Sequence, residues 1–193
     1  MKKYLVKDLM VPISEYATVS VGSTLFEAVL ALEKAQLEYQ HTEYKHRAIL
    51  VLDKNDRVIG KVSQMKVLRA IENKNVHIEK INEIKKFGFS SLFINTINEQ
   101  SKKDDISIEE LFWETSKQKV EKFMKAPEEG EIVDENCSLD LAINQLIIGK
   151  HLSLLVTSND EIVGILRMTD VFAAIFHSMK KIELKSKKDK RKK

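Results

Sequence analysis

The sequence predicts an α/β (α+β) fold in which one small unit, a short mixed sheet with two helices, occurs twice. Three observations carry this. The chain repeats itself: "VKDLMVP" (Val6 to Pro12) returns as "VEKFMKAP" (Val120 to Pro127), with Met10 opposite Met124 at an offset of 114. Each copy contains two β-branched runs divided by turn formers. Each also contains apolar residues at helical spacing, before and after that pair of runs.

The elements follow in order. Each copy opens with an extended lead-in that ends in proline, whose fixed φ and missing N–H suit a turn. In copy one, Thr24-Leu25-Phe26-Glu27 forms a Thr-x-x-Glu capping box, and Leu25, Ala28, Val29 and Leu32 fall on one helix face. In copy two, Ser138 takes the cap position ahead of Leu139, Ala142, Ile143 and Leu146. A hairpin comes next: "AILVL" turns through Asp53 to Asp56 into "RVIGKV", and "LSLLVT" turns through Ser158 to Asp160 into "EIVGIL". The closing helices present Val67, Leu68 and Ile71, and Val171, Phe172 and Ile175. At Gly60 and Gly164 the offset has fallen to 104, so copy one carries ten extra residues around Leu37 to His46. A unit of about 60 residues is marginal by itself, so two are expected to stack sheet on sheet around one core.

The totals narrow the class. Of 193 residues, 43% are hydrophobic and 32% charged, the balance of a soluble globular chain. The single cysteine, Cys137, excludes an internal disulfide, suits a reducing compartment and reads as a small packing residue. No apolar run reaches the roughly 18 residues of a membrane helix and no signal-peptide core is visible, so the expected location is cytoplasmic. The net charge of +3 is unevenly placed: Lys185 to Lys193 carry a surplus of six, which leaves the body at −3. This basic tail is expected as a disordered end, and nucleic acid is not expected as a partner.

The two closing blocks have one shape and different chemistry: "GKVSQMKVL" (Gly60 to Leu68) and "GILRMTDVF" (Gly164 to Phe172). With the "DLMVP" and "FMKAP" lead-ins and the hairpin blocks, they resemble a tandem pair of CBS (cystathionine β-synthase) domains, the Bateman module. The resemblance implies two CBS motifs packed pseudo-symmetrically through their sheets. It divides the chain into motif 1 (1–74), a helical insertion (75–119), motif 2 (120–180) and the tail (181–193). It also implies a regulatory module that binds an adenosine nucleotide or S-adenosylmethionine between the motifs, with no covalent cofactor, no metal and a homodimeric state. In that family the aspartate of the closing block holds the ribose hydroxyls, and a basic pair at the preceding strand meets phosphate.

On this chain the implied ribose acceptor is Asp170, beside Thr169 and with Arg167 where Ser or Thr is usual. A crossed arrangement pairs it with His46 and Arg47. The lead-ins Met10, Val11 and Pro12, and Lys125, Ala126 and Pro127, are candidates to line an adenine pocket. The second cleft, with Ser63, Lys66, Lys150 and His151, is degenerate because Lys66 stands where the aspartate is expected. Other readings remain open: Asp170 as a helix-start charge, the basic pairs as surface, the lead-ins as core.

The sequence shows no phosphate-binding glycine loop, His-Glu-x-x-His or Cys-x-x-Cys, so no catalytic role is expected. The insertion reads as helices over Val76 to Phe87, Phe89 to Ile97 and Ser107 to Ser116. It contains the one tryptophan and four of the eight phenylalanines, which suits either a cover for the module or a surface for an effector protein or a second copy. A scaffold with degenerate clefts and a tail that contacts nucleic acid are the competing functions.

Overall fold

The computed structural model describes residues 4–39, 45–71, 88, 90 and 107–190. The elements run β1 (Val11–Pro12), β2 (Thr18–Ser20), α1 (Leu25–Glu38), β3 (Ala48–Leu52), β4 (Val58–Ser63) and α2 (Gln64–Ala70). Then follow α3 (Ile108–Ser116), β5 (Ile132–Asp134), α4 (Leu139–Ile148), β6 (Ser153–Ser158), β7 (Glu161–Arg167) and α5 (Met168–Lys190). The capping box forms as its spacing predicts: Thr24 Oγ1 accepts from the Glu27 N–H, and Glu27 returns a bond to the Thr24 N–H. Asp53 stabilises the first hairpin turn by accepting from the N–H groups of Asn55 and Arg57. The second turn puts Asn159 and Asp160 at positive φ, residue types that tolerate it.

Both motifs have one topology. β2 lies parallel to β3 and β3 antiparallel to β4; β5 lies parallel to β6 and β6 antiparallel to β7. Register aligns the copies more finely than sequence does. Val51 faces Gly60 and Val156 faces Gly164, so β3 and β6 are equivalent at an offset of 105. The first turn is one residue longer, and His46 corresponds to His151, not to Lys150.

The lead-ins are exchanged. β1 pairs antiparallel with β7, Val11 opposite Ile165, so the first copy's opening strand edges the second copy's sheet. Reciprocally, Lys125 bridges to Lys61 on β4, with backbone bonds of 3.0 Å in both directions. Glycine permits both crossings: a Cβ on Gly164 would lie 2.8 Å from the Val11 carbonyl oxygen, and one on Gly60 would lie 3.1 Å from that of Lys125. Packing therefore crosses the boundaries drawn from the sequence. Val6 packs with Val133, Leu139, Leu154 and Leu166, and Val120 and Phe123 pack with Leu25, Ile49 and Val62.

Period-two alternation separates the layers. On β3, Ile49 and Val51 face the helices while Leu50 faces the other sheet; on β6, Leu154 and Val156 do the former and Leu155 the latter. A middle layer of Val11, Tyr16, Leu50, Leu155 and Ile165 joins the sheets. α5 continues to Lys190, so most of the segment expected as a disordered tail is helical. Of the insertion's three expected helices, the last is found as α3; Val76 to Phe87 lies outside the described residues, as does Phe89 to Ile97 apart from Ser90.

Candidate functional site

Strand alternation decides where Arg167 goes. Ile165 faces the middle layer and Leu166 the helices, so Arg167, at the end of β7, points back between the motifs. There its guanidinium takes both oxygens of Asp170: Nε to Oδ2 at 2.5 Å and Nη2 to Oδ1 at 2.7 Å. Nη1 lies 3.3 Å from His46 Nδ1, and the guanidinium carbon sits 5.2 Å from the Tyr39 ring centre. Arg167 is 4% exposed and Asp170 8%. The His46 ring is enclosed by Tyr16 at 4.3 Å and Tyr39 at 4.6 Å.

Burial sets the protonation states. His46 is pushed down to about 4, first by desolvation and then by the Arg167 charge, against a backbone hydrogen bond at Glu15 and the Asp170 carboxylate. Desolvation pushes the Tyr16 hydroxyl up to about 12. Asp170, the implied ribose acceptor, is thus engaged on both oxygens by the chain's own Arg167.

The open space lies beside it. A cleft of about 200 Å³ is lined from motif 1 by Tyr16, Lys45, Arg47, Ala48, Lys61 and Ser63, and from motif 2 by Glu131, Lys150, His151, Leu152, Ser153, Arg167, Met168 and Thr169. Among the described residues its one lining carboxylate, Glu131, is 4% exposed. Oε1 gathers three cationic or protonatable groups: Lys61 Nζ at 3.4 Å, Lys125 Nζ at 3.4 Å and His151 Nδ1 at 3.6 Å. Oε2 is buried with no hydrogen-bond partner among the described residues. Burial pushes the Glu131 carboxyl up, but Lys61 and Lys125 outweigh it and hold it below the usual carboxylate range.

Local structure fixes this group. Glu131 ends a single 3₁₀ turn (Glu129–Glu131), and Gln145 on α4 donates to the carbonyls on either side, Gly130 at 2.9 Å and Ile132 at 2.8 Å. α4 stops at Gly149, after which Lys150 adopts φ 52 and the His151 N–H returns to the Leu146 carbonyl. That left-handed residue, costly for a side chain, turns His151 toward Glu131.

The expected residues therefore divide. Arg47, Ser63, Lys150, His151, Arg167 and Thr169 line one cleft, so the two sets assigned to separate clefts meet in a single space. Asp170 and His46 are buried behind its wall. Lys66 is exposed, and its N–H is capped by Ser63 Oγ at 3.3 Å. Met10, Val11, Pro12, Ala126 and Pro127 do not line the cleft, because the lead-ins serve as sheet edges; Lys125 reaches it only through Glu131. Cys137 is half-buried, with its thiol pushed up by burial. Sequence reasoning missed Glu131, Lys61, Tyr16 and Tyr39. One trace existed: Glu131 aligns with Ala17, a buried alanine, at the offset of 114. A carboxylate at a core position of the repeat is the mark of a special site.

A second feature is an open apolar groove of about 400 Å³ between α4 and α5, lined by Ile143, Ile147, Met168, Phe172 and Ile175 among others. No described helix is long and apolar enough to cross a membrane.

Comparison with known proteins gives a consistent picture of the fold. Residues 6–73 match the CBS domain family. No curated protein matches the sequence. Among solved structures, a CBS domain-containing protein from Bacillus anthracis superposes with a TM-score of 0.59 at 22% identity, covering 90% of this chain and 94% of that one. CBSX2, solved in complex with AMP, gives 0.58 at 21%, covering 90% and 97%. Protein MJ1004 from Methanocaldococcus jannaschii gives 0.55 at 20%; there the chain covers 89% of itself and 59% of that protein's length.

Proposed function

From the premise that the chain carries a CBS domain at residues 6–73 within a CBS-pair fold, we propose that it is a regulatory module that binds an adenosine nucleotide and passes the change to a partner protein. The observation that carries this reading is the cleft shared by both motifs, where Lys45, Arg47, Lys61, Lys150 and His151 converge on one space. Cations from two bodies facing one cavity suit an anion that bridges them, and charge-assisted bonds to phosphate are strong. The AMP complex of CBSX2 supports the choice of ligand class.

Binding across the cleft favours one relative orientation of the motifs, and that differential affinity is what a regulatory module transmits. A surface for the effector fits α3, where Phe112 and Trp113 are 45% and 63% exposed. A second copy fits the exposed apolar face of α5. Calorimetric titration with AMP, ADP, ATP and S-adenosylmethionine tests the reading. At least one binds, and Arg47→Ala and Lys150→Ala weaken it; absence of binding for all four refutes it.

A further inference from the structure

In the cleft the residue type that recognises a sugar has moved. Asp170, the position implied for ribose, gives both oxygens to Arg167 and does not line the open space. Lys66 occupies the equivalent place in motif 1 and points to solvent. The carboxylate that does line the cleft is Glu131, from the opposite wall.

We propose that Glu131 is the cleft's hydroxyl acceptor and determines its preference for a ribose-bearing anion. This rests on the nucleotide reading above and adds the residue that gives it specificity. Oε1 is held by Lys61, Lys125 and His151, while Oε2 is buried without a hydrogen-bond partner among the described residues. An ionised carboxylate only accepts, so its complement on a ligand is a donor. A buried acceptor left unmet is costly, and a ligand that satisfies it gains that difference on binding. A 5′-nucleotide carries its anion and its vicinal hydroxyl donors on the same sugar. Lys45, Arg47 and Lys150 are exposed cations of the cleft that suit the anion, which leaves the hydroxyls for Glu131. The three groups on Oε1 and the two Gln145 bonds around the turn hold the carboxylate in place before any ligand arrives.

The test compares AMP, 2′,3′-dideoxy-AMP and inorganic phosphate by calorimetry on the whole chain. The variants are Glu131→Gln, Glu131→Ala and Asp170→Asn, with thermal melting to establish that each is folded. Wild type is expected to bind AMP about tenfold or more tightly than the dideoxy analogue, as fits one charge-assisted hydrogen bond. Both Glu131 variants lose that preference yet bind phosphate at least as tightly, since the cations no longer face a resident anion; Asp170→Asn keeps it. A preference that survives Glu131→Ala, or that disappears with Asp170→Asn, overturns the assignment alone. Loss of phosphate affinity together with the preference also overturns it, because Glu131 then only props the cleft. If wild type binds no AMP, the nucleotide reading falls and this assignment with it.

Discussion

Breaking the pair between Arg167 and Asp170 should cost far more than removing it whole. Both groups are more than nine-tenths buried and joined by two hydrogen bonds of 2.5 and 2.7 Å. Arg167→Met takes the guanidinium from the Asp170 carboxylate; Asp170→Asn takes the carboxylate from the guanidinium. Stranding one charge of a buried pair costs about 3–5 kcal/mol. For a chain of this size 1 kcal/mol moves Tm by about 2–4 °C, so each single variant should melt about 6–20 °C below wild type. The double variant strands no charge, and its loss should fall well short of the sum of the two. The assay is a double-mutant cycle by urea denaturation with circular dichroism, at a pH above 7 where His46 is neutral in both folded and unfolded chains. Additive losses, or single losses below about 1 kcal/mol, would refute the idea that this pair carries the wall between the motifs.

Two further expectations concern pH and association. His46 titrates near 4 in the folded chain against an ordinary 6.5, so the unfolded chain binds more protons between those values. Its contribution to stability is complete above about 6.5 and lost as pH falls toward 4. Urea unfolding at a series of pH values should show a shallower fall for His46→Gln than for wild type; equal slopes would count against it. On α5, Phe172, Phe176, Met179 and Ile182 are each more than half exposed and recur at helical spacing. A contiguous stripe of this kind is rare on a monomer, so the chain should sediment as a dimer and Phe172→Asp should shift it to monomer. A wild type that sediments as a monomer at micromolar concentration removes this expectation.

Much of the architecture was legible in the sequence because it depends on local chemistry. Thr24 and Glu27 declare a helix start at spacing three, Asp53 and Asn159 declare turns, and the apolar, β-branched runs in "AILVL" and "LSLLVT" give buried strands. What was not legible is non-local. A two-residue strand such as Val11–Pro12 holds no information about which sheet it joins, and only the tight approach at Gly164 selects β7. The site shows the same division. The Arg167-to-Asp170 spacing already places both side chains at one strand-to-helix junction, yet their union depends on the surrounding burial. Glu131 lies in "EEGE", an acidic run that reads as solvated; the Gln145 anchor and the three groups on Oε1 turn one of those residues inward.

The traded lead-ins mean that neither half of the molecule owns a complete sheet. Severing the chain between residues 72 and 106 would leave two fragments that each carry an edge the other needs, a lock with the key cast into the opposite half. Losing or replacing one half therefore damages both. It also limits how the halves move. The pairings at Val11 against Ile165 and at Lys125 against Lys61 tie the two halves along their seam, so any movement between them has to keep or break those backbone bonds.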